Sequence, residues 1–347
     1  MSADRVPAEE RAFYVQEFAG ATIVLALAEV DEPTVASVAR AARALAGGGS
    51  RLVVVVGAPA ASGADPALVA ALPSAPLVLD GPAPGDRVDP GWMADLWLAI
   101  ADRREVVVTV APGEQSPVAA ELASALRALK LVVTDPGGGW GSPARSFVDV
   151  HDPARGFEAA LADRQDGAVV RAVRTALDAG VTSVNLCPPQ EVDDELFTFD
   201  GVGSLFTSGD YLRIDALRVD DLPAVEELVA QGTAAGVLRP RTRVEVARLA
   251  VGGLAARVER SGHLAGLVGL ETEPYRAAAV GEVAGLYTVS RFSGAGAGGR
   301  LIDGLADRAA AAGLRAIFAV TVSEEAAAFF DRKGFAEVAQ DQVPAAK

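Results

Sequence analysis

Cysteine is nearly absent: Cys187 stands alone in 347 residues. A single thiol excludes an intrachain disulfide and leaves no thiolate cluster for zinc. Histidine is almost as scarce, with only His151 and His263. A multi-histidine metal site or a histidine-based triad therefore has little material, and no metal is expected. Positive charge is also short. Asp and Glu number 46 against 31 Lys and Arg, a formal net charge of −15. Nucleic-acid binders need the opposite balance to displace counterions from phosphates, so no nucleic-acid partner is expected. No uncharged apolar run approaches the ~20 residues a membrane helix needs. The first residues, MSADRVPAEERAF, are charged and lack the apolar core of a signal peptide. A cytoplasmic protein without a membrane partner is expected.

Apolar material is abundant: half of the residues are hydrophobic. That suffices for buried cores, and the length suits two domains. The part before Glu195 alternates short apolar runs with Ala-rich stretches. The runs Thr22–Leu27, Leu52–Val56, Pro76–Leu79, Val106–Val110, Leu131–Thr134, Ser146–Val150 and Thr182–Cys187 read as strands. Several are β-branched and apolar on both faces, as buried parallel strands are. Helices are expected at Glu32–Leu45, Gly91–Asp102, Pro117–Leu129 and Val169–Ala179. Such alternation implies an α/β sandwich. The segment Phe199–Tyr211 is glycine-rich and turn-like, and a domain boundary is placed there, giving 1–208 and 209–347. Pro136–Ser142 reads as a loop, Cys187 as core and His263 as a turn residue.

The pattern then restarts. It gives strand Leu212–Ala216, helix Leu222–Gln231, the basic stretch Leu238–Arg243, and helix Val244–Val251. Strands follow at Ala255–Glu259, His263–Leu270 and Gly281–Thr288. Helix Gly298–Ala312, strand Arg315–Val320, helix Glu324–Lys333 and a last strand after Phe335 complete the domain.

Chemistry concentrates in Glu282–Leu301. A strand, EVAGLYT, runs through a glycine loop, Ser293–Gly299, into a helix. Glycines let backbone N–H groups approach a phosphate closely, and a helix N-terminus adds partial positive charge. Alone, such a loop is more often an ordinary turn. It is followed, however, by Phe329-Phe330-Asp331-Arg332-Lys333-Gly334-Phe335, a short helix ending at glycine and re-entering a strand. Together these resemble the GNAT acetyltransferase superfamily, whose loop reads R/Q-x-x-G-x-G/A. Here Gly296 and Gly298 match the two small residues, while Ser293 stands where the family has Arg or Gln. In a register two residues earlier, Arg291, Gly294 and Gly296 fit the pattern. The resemblance implies acetyl-CoA as co-substrate, held by Leu286, Tyr287, Thr288, Ser293, Gly294, Ala295, Gly296, Ala297, Gly298 and Gly299. Phe330 stands where many of these enzymes carry a tyrosine general acid.

The resemblance narrows further. Glu195–Ser204, ELFTFDGVGS, is similar to the E-L-F-T-x-D-G-x-G-T segment of bacterial N-acetylglutamate synthases, which precedes a GNAT domain in that family. Gly236–Thr242 and Gly281–Ala284 are similar to two further family stretches. The resemblance implies a three-layer αβα amino-acid-kinase-like domain followed by an α+β GNAT domain. It implies acetylation of the α-amino group of L-glutamate, in arginine biosynthesis. It also implies a small-molecule amino-acid substrate and a homo-oligomer formed through the first domain. Kinase activity is not expected, since the first strand runs into Ala28-Glu29-Val30-Asp31 and no lysine precedes Lys130. The alternatives are a GNAT enzyme for another small amine and a regulatory or assembly protein with weak catalysis.

The implied roles are chemically coherent. An ammonium must lose a proton before it attacks a thioester, and Glu282, on a strand, suits the base. Arg241 offers a fork of donors for a substrate carboxylate, with Leu238 and Gly285 also on the acceptor side. Ser323, or Thr321 beside it, stands where the family places a hydroxyl that protonates the departing thiolate. The plain alternative for Ser323 is a helix N-cap before Glu324.

Overall fold

The computed structural model describes residues 6–59, 63–82, 89–102, 105–141, 144–151, 157, 167–209, 211–259, 261–289, 292, 296–339 and 343. The chain divides into two compact units, Met1–Gly209 and Asp210–Lys347.

The first unit is built on an eight-stranded sheet. Its strands are β1 Thr22–Leu27, β2 Arg51–Gly57, β3 Leu77–Asp80, β4 Glu105–Val110, β5 Lys130–Thr134, β6 Phe147–Asp149, β7 Ser183–Cys187 and β8 Ser204–Thr207. They lie in the order β3-β4-β2-β1-β5-β7-β8-β6. All neighbours are parallel except β7 and β8. Side chains alternate across a strand. Accordingly Val24 and Ala26 enter one core with Val118, Leu122 and Val173, while Ile23, Leu25 and Leu27 enter another with Val38, Ala42 and Leu45. Two buried faces on one sheet make this a three-layer αβα sandwich. The helices are α1 Ala8–Glu17, α2 Glu32–Gly47, α3 Pro66–Ala71, α4 Pro90–Asp102, α5 Gln115–Ala125, α6 Gly167–Asp178 and α7 Val192–Phe197.

A chain of buried polar groups on this sheet is paired, as buried polar groups generally are. The Lys130 ammonium donates to Ser183 Oγ at 2.9 Å and Asn185 Oδ1 at 2.6 Å. Asn185 in turn donates to Glu195, whose Oε2 accepts the amides of Val202 and Gly203, each at 2.8 Å. The ELFTFDGVGS segment is thus clamped by its own first residue. A Cβ at Gly203 would overlap the Leu186 carbonyl oxygen, so this turn has room only for glycine.

Several features depart from the sequence expectations, among them the short helices α3 and α7, which were not expected. The α1 segment is only weakly amphipathic and was not expected as a helix. It docks through tertiary contacts, with Phe13 5.0 Å from Phe199 and Arg11 bonded bidentately to the buried Asp193 at 2.8 and 2.9 Å. The turn-like Phe199–Tyr211 contains strand β8, because Gly201 and Gly203 turn the chain back into the sheet. Residues 335–339 form no strand, although one was expected after Phe335.

The second unit has five strands, β9 Leu212–Ala216, β10 Leu254–Val258, β11 Leu264–Glu271, β12 Val280–Thr288 and β13 Ala316–Phe318, in the order β13-β12-β11-β10-β9. The pairs are antiparallel except β12 with β13. Its helices are α8 Leu222–Ala234, α9 Arg243–Val251, α10 Ala297–Ala311 and α11 Glu324–Arg332. Leu301, Leu305 and Ala309 recur every four residues and bury one stripe of α10. Arg257 on β10 reaches Asp221, just before α8, at 2.8 and 3.1 Å and Asp215 on β9 at 3.3 Å, tying the helix start to the sheet. No described helix is long and apolar enough to cross a membrane.

Candidate active site

The site is organised by an irregularity in β12. Ala284 pairs with Gly269, but Tyr287 pairs with Leu267. Gly285 and Leu286 therefore oppose the single residue Val268, a β-bulge. Gly285 has φ +60°, the left-handed conformation that glycine adopts without strain. A Cβ there would collide with Leu249 Cδ1, and Arg241 Nη1 would lie 3.7 Å from it. On its other side, β12 pairs with β13 only from Val280 to Glu282. Beyond Glu282 that edge carries no strand among the described residues. The two strands thus part as a wedge beyond Glu282. Leu286, Tyr287 and Thr288 line this edge and are half-buried.

Glu282 lies where the two strands begin to part. It is 5% exposed. The Tyr275 hydroxyl, itself on a residue only 2% exposed, donates to Glu282 Oε2 at 2.6 Å. The Tyr275 ring meets Phe318 edge-on, with centroids 5.0 Å apart, and Phe318 is the β13 register partner of Glu282. Across the other ladder, Glu271 is the direct partner of Glu282. Burial raises the Tyr275 phenol, and the Glu282 hydrogen bond and the two carboxylate charges push it further up. It remains a donor throughout the neutral range.

Arg241 answers these carboxylates. Burial lowers its guanidinium and Arg239 adds to that, while Glu271, Glu245 and Glu282 pull it back up. Its Nε is buried and has no hydrogen-bond partner among the described residues. A buried, unpaired donor of a charged group costs free energy unless a ligand satisfies it. Local sequence fixes its place. Thr242 caps α9 and forms a reciprocal box with Glu245, whose carboxyl is held down at about 2 by Thr242 hydrogen bonds. Leu238 reaches the same neighbourhood. A Cβ on Gly232 of α8 would sit 2.8 Å from Leu238 Cδ1 and 2.9 Å from Tyr287 Cδ2.

The glycine loop is described only in part. Ser293, Gly294 and Ala295 lie outside the described residues, as does Arg291. Gly296 is left-handed at φ +73° and begins α10. Ala297, Gly298 and Gly299 form its first turn, where amides lack intrahelical acceptors. Gly298 faces Thr288 and the Phe329 ring, with a would-be Cβ 3.9 and 3.6 Å away. Gly299 faces Lys333, whose Nζ would lie 3.4 Å from such a Cβ and bonds Asp303 at 2.7 Å. Thus β12, the α10 start and α11 meet at one place, with a cation beside the helix start.

Ser323 caps α11, its oxygen accepting the Ala326 amide at 3.3 Å. The hydroxyl proton stays available to another acceptor. Thr321 Oγ1 accepts the Ser323 amide at 3.1 Å. Both residues are exposed. Cys187 is buried in the first core and His263 directly precedes β11.

Sequence reasoning overlooked Tyr275 and Lys333. Tyr275 sits in a turn of no obvious periodicity, and only folding sets it against Glu282. Lys333 was noted merely as part of a helix end. Four residues around a turn from the glycine loop's partner Phe329, it offered a signal that helical spacing could have revealed. Among the described residues no group of His, Cys, Asp and Glu is arranged to hold a metal ion.

Residues 226–335 match the model of the Acetyltransferase (GNAT) family. The chain is 30% identical over 176 residues to an amino-acid acetyltransferase of Ralstonia nicotianae, covering 49% of this chain and 37% of that one. It is 30% identical over 153 residues to the corresponding protein of Azotobacter vinelandii, covering 44% and 34%. The matched stretch thus spans well under half the length of these relatives. The crystal structure of N-acetylglutamate synthase from Neisseria gonorrhoeae, complexed with coenzyme A and L-arginine, superposes with a TM-score of 0.60 at 21% identity, covering 97% of this chain and 94% of that one. The chain therefore shares the fold of that synthase, an αβα unit followed by a unit in which residues 226–335 match the GNAT model.

Proposed function

We propose that the second unit transfers the acetyl group of acetyl-CoA to the α-amino group of L-glutamate, the first acetylation of arginine biosynthesis. The observation that carries this reading is the buried Glu282, held by Tyr275 and faced by Arg241, at the mouth of the β12–β13 wedge. The similarity to amino-acid acetyltransferases supports it.

In this reading the wedge receives the extended arm of acetyl-CoA along 283–288. The first turn of α10, from Gly296 to Gly299, faces its phosphates, with Lys333 adding charge. Arg241 binds a carboxylate of the amino acid, so that its ammonium falls toward Glu282. Glu282 removes one proton, directly or through water. The free amine attacks the thioester carbonyl carbon, and backbone amides at the bulge stabilise the oxyanion. As the C–S bond breaks, the thiolate takes a proton for which the Ser323 hydroxyl is the candidate donor, and the second proton leaving the attacking nitrogen restores that hydroxyl through water. The products are N-acetylglutamate and CoA.

The first unit serves assembly in this reading. The edge strand β3 exposes Leu77 and Val78, and α4 exposes Trp97 (58%) and Leu98 (64%). Exposed aromatic and aliphatic groups beside an open sheet edge suit pairing with a second copy. The lone reduced thiol accords with a cytoplasmic setting.

The test is CoA release from acetyl-CoA by purified protein with a panel of amino acids. A rate that rises with glutamate and collapses in Glu282→Gln is expected. Turnover with a different amine would keep the chemistry and replace the substrate. No turnover with any acceptor, together with no calorimetric binding of acetyl-CoA, would remove the enzymatic reading.

A further inference from the structure

We propose that Tyr275 is a positioning residue for the base, its phenol locking the Glu282 carboxylate in the orientation that receives the substrate proton. The inference rests on the proposed acetyltransfer and deepens it. Its ground is geometric. A glutamate side chain has three rotatable bonds, and a proton transfer needs its oxygen within hydrogen-bond reach of the donor. Here one carboxylate oxygen is fixed at 2.6 Å from the Tyr275 hydroxyl. The phenol cannot itself wander. It belongs to a buried ring packed edge-on against Phe318. Phe318 and Glu271 are the register partners of Glu282 on the neighbouring strands, so its backbone is fixed within the ladder while the phenol orients its carboxylate.

This role differs from mere packing in what it predicts. Tyr275→Phe keeps the ring and removes only the hydroxyl. It should lower kcat on the order of tenfold, because a displaced base loses proton-transfer geometry. The KM values for acetyl-CoA and amino acid should stay within about twofold, since the phenol touches neither. In the Glu282→Gln background the same substitution should change the residual rate little, because the group that Tyr275 positions is already gone.

A second reading does not depend on the Phe variant folding. In the otherwise unaltered protein, the tyrosinate absorbance of Tyr275 should appear at lower pH after Glu282→Gln, since the carboxylate charge that opposes phenol ionisation is removed. Wild-type kcat in Tyr275→Phe, an equal loss in both backgrounds, or an unmoved tyrosinate transition would each overturn the proposal while leaving the acetyltransferase reading intact. Absence of turnover in the wild-type protein would overturn both.

Discussion

Glu282 on β12 and Glu271 on β11 stand directly opposite each other in an antiparallel ladder. Like charges in such a pair repel. The arrangement is tolerated because Arg241 lies in the field of both carboxylates. Under the proposed function the carboxylates draw the acceptor's ammonium and the guanidinium draws its carboxylate, so an amino acid uses both where a simple amine would use one.

Arg241→Ala is accordingly expected to raise the KM for the amino acid roughly ten- to hundredfold, the worth of about 1.5–3 kcal/mol for a hydrogen bond to a charged group. Affinity for acetyl-CoA should hardly change. Steady-state kinetics with each substrate varied in turn, beside calorimetry of acetyl-CoA binding, separates the two effects.

Gly285→Val should destabilise the second unit by about 2–4 kcal/mol. The substitution adds the strain of a β-branched residue at positive φ to overpacking against Leu249. Thermal unfolding followed by circular dichroism should show the melting transition fall by several degrees. An unchanged transition would mean that the bulge relaxes without cost.

Lys333→Ala should weaken acetyl-CoA binding a few-fold, and Lys333→Glu more strongly, with the difference shrinking at high salt as exposed charges are screened. Lys333 is 23% exposed at its side chain, so the effect is modest. Calorimetric titration at two ionic strengths is the measurement. Equal affinity in all three proteins would assign the phosphates to the loop amides alone.

Acid should loosen the β9–β10–α8 corner. Burial pushes the Asp221 carboxyl up, but the hydrogen bonds from Arg257 and the Arg218 amide, with both arginine charges, more than offset it, leaving its pKa below the ordinary aspartate value. A group depressed in the folded state contributes stability that is present above its unfolded pKa and lost as pH falls through the folded one. Urea midpoints between about pH 6 and pH 3 should fall more steeply for the wild-type protein than for Asp221→Asn, which starts lower.

The sandwich was legible because apolar, β-branched runs buried on both sides announce themselves, as at Leu52–Val56 inside β2. The α10 stripe was legible from its four-residue spacing, and the strand that carries Glu282 from its apolar run before the glycine loop; the role proposed for Glu282 came from the family resemblance. Helix α1 was not, because its contacts to Asp193 and Phe199 lie nearly two hundred residues away and leave little mark on local pattern. Strand β8 hid behind the glycines that turn the chain into it. The Tyr275–Glu282 bond was invisible for a different reason. Seven residues separate them, but a left-handed Ala279 (φ +52°) ends the intervening 3-10 turn and brings the tyrosine back over the strand.

The interior fate of Lys130 has a practical consequence. The sequence holds only three lysines, Lys130, Lys333 and Lys347. With the first sealed inside the sheet by Ser183 and Asn185, amine-reactive reagents find almost a blank surface. Covalent labelling followed by peptide mass mapping then becomes a footprint of a single informative side chain, and shielding of Lys333 by coenzyme A could be read without any mutation.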